Sequence, residues 1–184
     1  MTRIVAGAAK GRQLVVPPRG TRPTSDRARE ALFSTLAGLL DLDGARVLDL
    51  YAGTGAVGLE ALSRGAAHVT FVESDRTAAA AVQRNVDAVG LPGASVVRST
   101  VDTYLAGHPD GPFDFAYADP PYALDEAALA GVLAALARPG WLAPGAVVVV
   151  ERSARGPEPR WPGVIHSVKQ KRYGEGVLWY GQRR

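Results

Sequence analysis

Four consecutive residues, Asp119-Pro120-Pro121-Tyr122, bring together an acceptor-only carboxylate, a carbonyl with no N–H beside it and an aromatic face. That set suits a planar group carrying a hydrogen-bond-donating amine, and a nucleobase with an exocyclic NH2 is the natural candidate. A second set starts at Asp49, runs through Gly53-Thr54-Gly55-Ala56-Val57-Gly58 and ends at Glu73, twenty residues after Gly53. Glycines let a backbone turn tightly and approach a ligand. The N–H groups that open the following helix add donors, and Glu73 is spaced to accept from ribose hydroxyls. Asp49 separates two kinds of adenosine-containing cofactor. Its carboxylate would repel a dinucleotide's pyrophosphate but suits the ammonium of S-adenosylmethionine.

Both sets need elements that hold them. Val47 to Ala52 and Phe113 to Ala118 are short apolar runs, read as strands buried on both faces. Two prolines in succession end the second strand in a stiff extended loop. Around these the pattern predicts strands near 46–51, 68–73, 94–98 and 146–151, with helices over 56–64, 75–89 and 124–137. Alternating strands and helices imply a parallel sheet covered on both faces. Val164 to Arg172 and Val177 to Gln182 flank Tyr173-Gly174-Glu175-Gly176 and read as an antiparallel hairpin. Arg3 to Ala6 and Arg12 to Val16 read as a second, basic hairpin, and Thr24-Ser25-Asp26 supplies N-cap candidates for a helix bearing Ala28, Ala31, Leu32, Leu36 and Leu39. If strands 46–51 and 113–118 are neighbours where the strand order reverses, Gly53 and Asp119 face one crevice.

At 184 residues the chain is long enough for one full core and a small appendage. It has no apolar run of membrane-spanning length and no charged-then-apolar leader, so a cytoplasmic location is expected. Absence of cysteine excludes disulfides, thiolate metal sites and methylation at pyrimidine carbon-5 through a cysteine adduct. His68, His108 and His166 show no ligand spacing, and no metal is expected. Net charge is +3, but residues 1–29 carry +6, residues 30–151 carry −9 and residues 152–184 carry +6. An acidic body between two basic ends is the distribution expected of a protein that holds a polyanion.

Segments VLDLYAGTGAVGLEALSRGA (47–66), FVESD (71–75) and YADPPY (117–122) resemble class I S-adenosylmethionine-dependent methyltransferases that modify exocyclic amines. RIVAGAAKGRQLVVPP (3–18) and RPTSDRAREALFSTL (22–36) narrow this, since the whole chain is similar to the bacterial 16S rRNA (guanine(966)-N(2))-methyltransferase family. The commoner methyltransferase motif has glycine where this chain has Tyr51. The resemblance implies a Rossmann-like α/β fold with a mostly parallel seven-stranded sheet, an antiparallel C-terminal hairpin and a small N-terminal hairpin. It implies Asp49, Gly53 and Gly55 around the methionine part of the cofactor, Glu73 on the ribose, Thr100 and Val101 beside the adenine (Asp102 being an alternative acceptor), and Thr24 with Ser25 closing the side. Asp119 and the Pro120 carbonyl would accept from the target amine while Tyr122 stacks on the base.

The chain thus divides into residues 1–22, a basic hairpin extension that grips RNA through Arg3, Lys10, Arg12, Arg19 and Arg22, and residues 23–184, the methyltransferase domain. Removing residues 2–20 is expected to weaken RNA binding and spare the fold. The expected substrate is 16S ribosomal RNA within the small subunit and the expected state a monomer. A base already in an RNA loop is unstacked more cheaply than one in duplex DNA. Two readings compete: an adenine-N6 or cytosine-N4 DNA methylase, and a non-catalytic RNA-binding ribosome-assembly factor. A nicotinamide oxidoreductase is disfavoured by Asp49.

Overall fold

In the computed structural model, residues 2–17 and 25–184 are described. Nine strands and five helices follow among them: β1 Thr2–Arg3, β2 Gln13–Leu14, α1 Asp26–Ala37, β3 Arg46–Leu50, α2 Ala56–Ser63, β4 His68–Glu73, α3 Arg76–Val89, β5 Ala94–Arg98, α4 Val101–Ala106, β6 Phe113–Ala118, α5 Glu126–Leu136, β7 Leu142–Ser153, β8 Ile165–Tyr173 and β9 Gly176–Arg183. The main sheet has seven strands in the order β5-β4-β3-β6-β7-β9-β8. Strands β5 to β7 run parallel, and β9 joins β7 antiparallel with β8 outside it. This is the Rossmann-like methyltransferase fold, with the antiparallel C-terminal hairpin and the small N-terminal one.

Strand periodicity explains why both faces are covered. Val47, Phe115, Tyr117, Val147 and Val149 enter one core, and Leu48, Leu50, Ala116, Ala118, Val148 and Val150 enter the other. Successive side chains point to opposite faces, so a continuous apolar run serves two layers of helices. Each fully buried aliphatic side chain contributes about 1.5–3 kcal/mol of transfer free energy. Caps set the helix limits: Ser25, Asp75, Thr100 and Asp125 accept from the third residue of their helices, and left-handed Gly90 closes α3.

Three boundaries differ from the sequence pattern. Helix α4 is a short element that the pattern does not announce; six residues are too few to show a helical period. Strand β7 starts at Leu142 rather than 146, because a register shift lets it pair with Phe113 before the regular ladder begins at Phe115. The N-terminal strands are only two residues each.

Those short strands belong to a segment anchored on the body. Ile4 and Leu14 are buried in the same core as α1 and α2. Buried Glu60 of α2 accepts from Val5 and Ala6 N–H at 2.9 and 3.0 Å and pairs with Arg29 at 3.4 Å and Arg64 at 2.9 Å. Asn85 of α3 exchanges hydrogen bonds with Val15 at 2.7 and 3.0 Å. A Cβ on Gly7, whose φ is +88°, would lie 1.9 Å from the Ser63 carbonyl oxygen, so only glycine allows this approach. These contacts count against the expectation that the segment can be removed without cost to the fold. Its removal strips Glu60 of two donors in a buried site.

Candidate active site

Strands β3 and β6 are direct neighbours, with Leu50 opposite Ala118. Their following loops emerge side by side at the carboxyl edge, and the strand order reverses between them. A cavity of about 1200 Å³ opens there. Asp49, Gly53, Glu73, Thr100, Val101, Asp119, Pro120 and Tyr122 all line it, as do Ser25 and Asp102. Gly55 does not. Its φ is +79°, and a Cβ there would press on Val82 and Phe71 at 3.1 and 3.4 Å, so it serves helix–strand packing. Thr24, Arg19 and Arg22 lie outside the described residues.

Asp49 and Glu73 are held by backbone donors. Asp49 is enclosed and its Oδ2 accepts from Gly58 N–H at 3.0 Å. Burial, opposed by that bond and reinforced by the charge of Glu73, pushes its carboxyl up to about 8. Glu73 accepts from Gly53 N–H through Oε1 and from Asp75 N–H through Oε2, both at 2.8 Å. The glycine turn is thereby tied to the end of β4. Tyr51 has φ +57°, the one non-glycine residue in the left-handed region among those described. That conformation explains why glycine is the commoner occupant of this position; here an aromatic ring is kept at a backbone cost. Burial raises the Tyr51 phenol to about 12.

The Asp119 loop is braced from β7. Arg152 donates to the Leu124 carbonyl at 2.7 Å, to Glu126 at 3.1 Å and to the Pro121 carbonyl at 3.4 Å. Leu124 N–H also donates to the Pro121 carbonyl, whereas the Pro120 carbonyl takes no such bond among the described residues. Tyr122 is 69% exposed at the mouth. Burial first, then the charge and hydrogen bond of Glu151, push Asp119 up to about 9, with Asp49 adding and Arg152 opposing. Glu151 in turn accepts from the Tyr117 hydroxyl at 3.0 Å.

Glu151 and Arg152 are the site residues the sequence pattern passes over. The signal was faint: an acid and a base ending the apolar run 146–150, beside the strand that carries Asp119. Arg29, counted among the basic residues of the first segment, is fully buried and bonded to the Arg3 carbonyl, Asp26 and Glu60. Arg3, Lys10 and Arg12 are exposed, with Arg3 3.4 Å from Asp26 and Arg12 donating to the Ala88 carbonyl at 3.2 Å. No helix among the described residues is long and apolar enough to cross a membrane.

Residues 2–182 match the family described as conserved hypothetical protein 95. Over 182 residues the chain is 39% identical to ribosomal RNA small subunit methyltransferase D of Escherichia coli K12, covering 98% of this chain and 89% of that protein. The protein of the same name from Haemophilus influenzae is 37% identical over 153 residues, 81% of this chain and 77% of its own. A solved Escherichia coli structure superposes with a TM-score of 0.85 at 37% identity, covering 99% of this chain and 97% of that one.

Proposed function

The chain belongs to the conserved hypothetical protein 95 family, and from that premise we propose that it transfers a methyl group from S-adenosylmethionine to the exocyclic N2 amine of a guanine in 16S ribosomal RNA. One observation carries this reading: two loops from adjacent strands bring cofactor-type acids and an amine-accepting pair, Asp119 and the Pro120 carbonyl, to one cavity. The cavity's volume exceeds the roughly 300–1,000 Å³ usual for a single small ligand, which supports room for a cofactor and a base together. Asp49, Glu73 and Asp119 share the cavity lining, and a ligand carrying a sulfonium and an ammonium favours the ionised forms of Asp49 and Asp119 that burial alone disfavours.

In this reading Asp49 faces the cofactor's ammonium and Glu73 its ribose, while Val101 packs against the adenine. The bound cofactor supplies an electrophilic methyl on sulfur. The protein's own part is to aim the nucleophile. Guanine N2 is a poor one because its lone pair is delocalised into the ring. Asp119 and the Pro120 carbonyl accept both N–H bonds, favour the pyramidal nitrogen and stabilise the positive charge that develops there. Tyr122 stacks on the base. Fixed alignment is worth up to about 7–11 kcal/mol of the barrier. Exposed Arg3, Lys10 and Arg12 at one end, with Lys169, Lys171 and Arg172 at the other, contact phosphates. The division into a basic extension, 1–22, and a catalytic body, 23–184, is kept here as a division of labour.

The test is methyl transfer with nucleoside mass spectrometry on unmodified small subunits, free ribosomal RNA and DNA. N2-methylguanosine is expected on ribosomal RNA. Asp119→Ala is expected to lower turnover at least 100-fold while cofactor affinity changes little. Near-normal turnover in that variant, or product only on DNA, would sink the reading. Cofactor binding without product on any substrate would favour the assembly-factor alternative.

A further inference from the structure

The geometry points to Glu151 as the proton partner of Asp119: one hydrogen shared between the two carboxyls fixes which Asp119 oxygen faces the amine, and the pair takes up the proton that the amine releases. This rests on the proposed methyl transfer and adds a residue on the neighbouring strand. In the β6–β7 ladder Ala118 pairs with Val150, so Asp119 and Glu151 leave the ladder side by side. Both side chains enter one cavity, and after burial the charge and hydrogen bonding of Glu151 are what raise the Asp119 carboxyl. Two carboxyls in that contact are not both ionised without heavy repulsion, and the pair retains one proton. The Tyr117 hydroxyl donates to Glu151 Oε2 at 3.0 Å and holds that carboxyl toward its partner. All three residues line the cavity.

Other groups around Asp119 work in the same sense or are already committed. Asp49 on β3 adds negative charge, and Arg152 opposes it but is engaged by Glu126 and two carbonyls. Burial and these acids together raise the Asp119 carboxyl to about 9. At neutral pH the pair therefore carries one proton and one negative charge. In the reaction the amine's lone pair forms the N–C bond, the C–S bond breaks with its electrons staying on sulfur, and nitrogen must lose one proton. The carboxyl pair takes it, passing from one hydrogen to two, and later returns it to solvent through the open mouth. A purely structural Glu151, kept as an acceptor for Tyr117, would still shift Asp119 by its charge but would leave kcat unmoved when it is replaced by an isosteric amide.

Two readouts decide the matter. Carboxyl carbon NMR of the ligand-free protein, with Asp119 assigned by its loss in Asp119→Asn, is expected to show a two-step titration whose upper step lies near 9. In Glu151→Gln, which keeps an amide donor for Asp119 and an oxygen for Tyr117, the Asp119 midpoint is expected to fall by at least one pH unit. The kcat for ribosomal RNA is expected to fall tenfold or more, with KM for the cofactor unchanged. A single-step Asp119 titration in the ordinary carboxylate range of an active wild type overturns the pairing, whether or not the variant folds. An unshifted midpoint in folded Glu151→Gln overturns it too. Wild-type protein that methylates no RNA counts against the proposed function instead.

Discussion

Asp49 is the residue whose burial makes the plainest pH signature. Its folded value of about 8 lies above the unfolded value of 3.8, so the folded protein keeps a proton that the unfolded chain gives up. That contribution is complete below about pH 4 and is lost as pH rises toward 8. Asp49→Asn keeps an acceptor for Gly58 N–H but has nothing to titrate. In thermal melts without ligand, the variant's Tm relative to wild type is expected to be lowest near pH 4 and to climb by several degrees by pH 9. A difference flat across that range would show that Asp49 is solvated when folded. Asp119 was legible in the sequence because it ends an apolar run next to an unusual loop, and Asp49 because it interrupts one four residues before Gly53. Glu151 was not, because its meaning comes from a neighbour 32 positions earlier in the chain, visible only once β6 and β7 pair.

Elements carry the next level of the design. Strands β4, β3, β6 and β7 are consecutive in the sheet, and each delivers one carboxylate at or near its carboxyl end: Glu73, Asp49, Asp119 and Glu151. The alternation of strands and helices was readable from apolar runs and glycines, so the sheet was too. Short elements without a period, α4 and the two-residue strands of the N-terminal segment, were not. Nor was the anchoring of that segment, because Glu60 reads as one polar residue on a helix until its four partners converge on it. Losing one partner of a buried ion pair costs about 3–5 kcal/mol. Glu60→Ala takes one of its acid partners from buried Arg29 and deprives Val5 and Ala6 of their acceptor. Urea unfolding is expected to show a loss of that size, and limited proteolysis earlier cutting within residues 5–15. A loss under 1 kcal/mol would mean that the segment contributes little to holding the body together.

Across the whole molecule, charge is sorted by task. Acids gather on the cavity floor, where a cationic ligand draws their protons off and is held by the charge that results. Basic side chains gather at the two chain ends, and Lys169, Lys171 and Arg172 lie exposed along β8, one of the two edge strands of the main sheet. Lysines on an edge strand also discourage edge-to-edge pairing between copies, so their position alone does not identify a partner. Salt dependence separates the two roles. A lysine that neutralises a phosphate releases a counterion, and removing one such lysine lowers the slope of log affinity against log salt by about 0.7–0.9. The double variant Lys169→Glu/Lys171→Glu is expected to bind ribosomal RNA at least tenfold more weakly at low salt, with a slope smaller by about 1.5, while cofactor affinity stays within twofold. Filter binding across a salt series measures the RNA affinity and its slope. Unchanged RNA affinity together with a new tendency to self-associate would assign these lysines to protecting the edge, and leave the grip on RNA to the N-terminal segment.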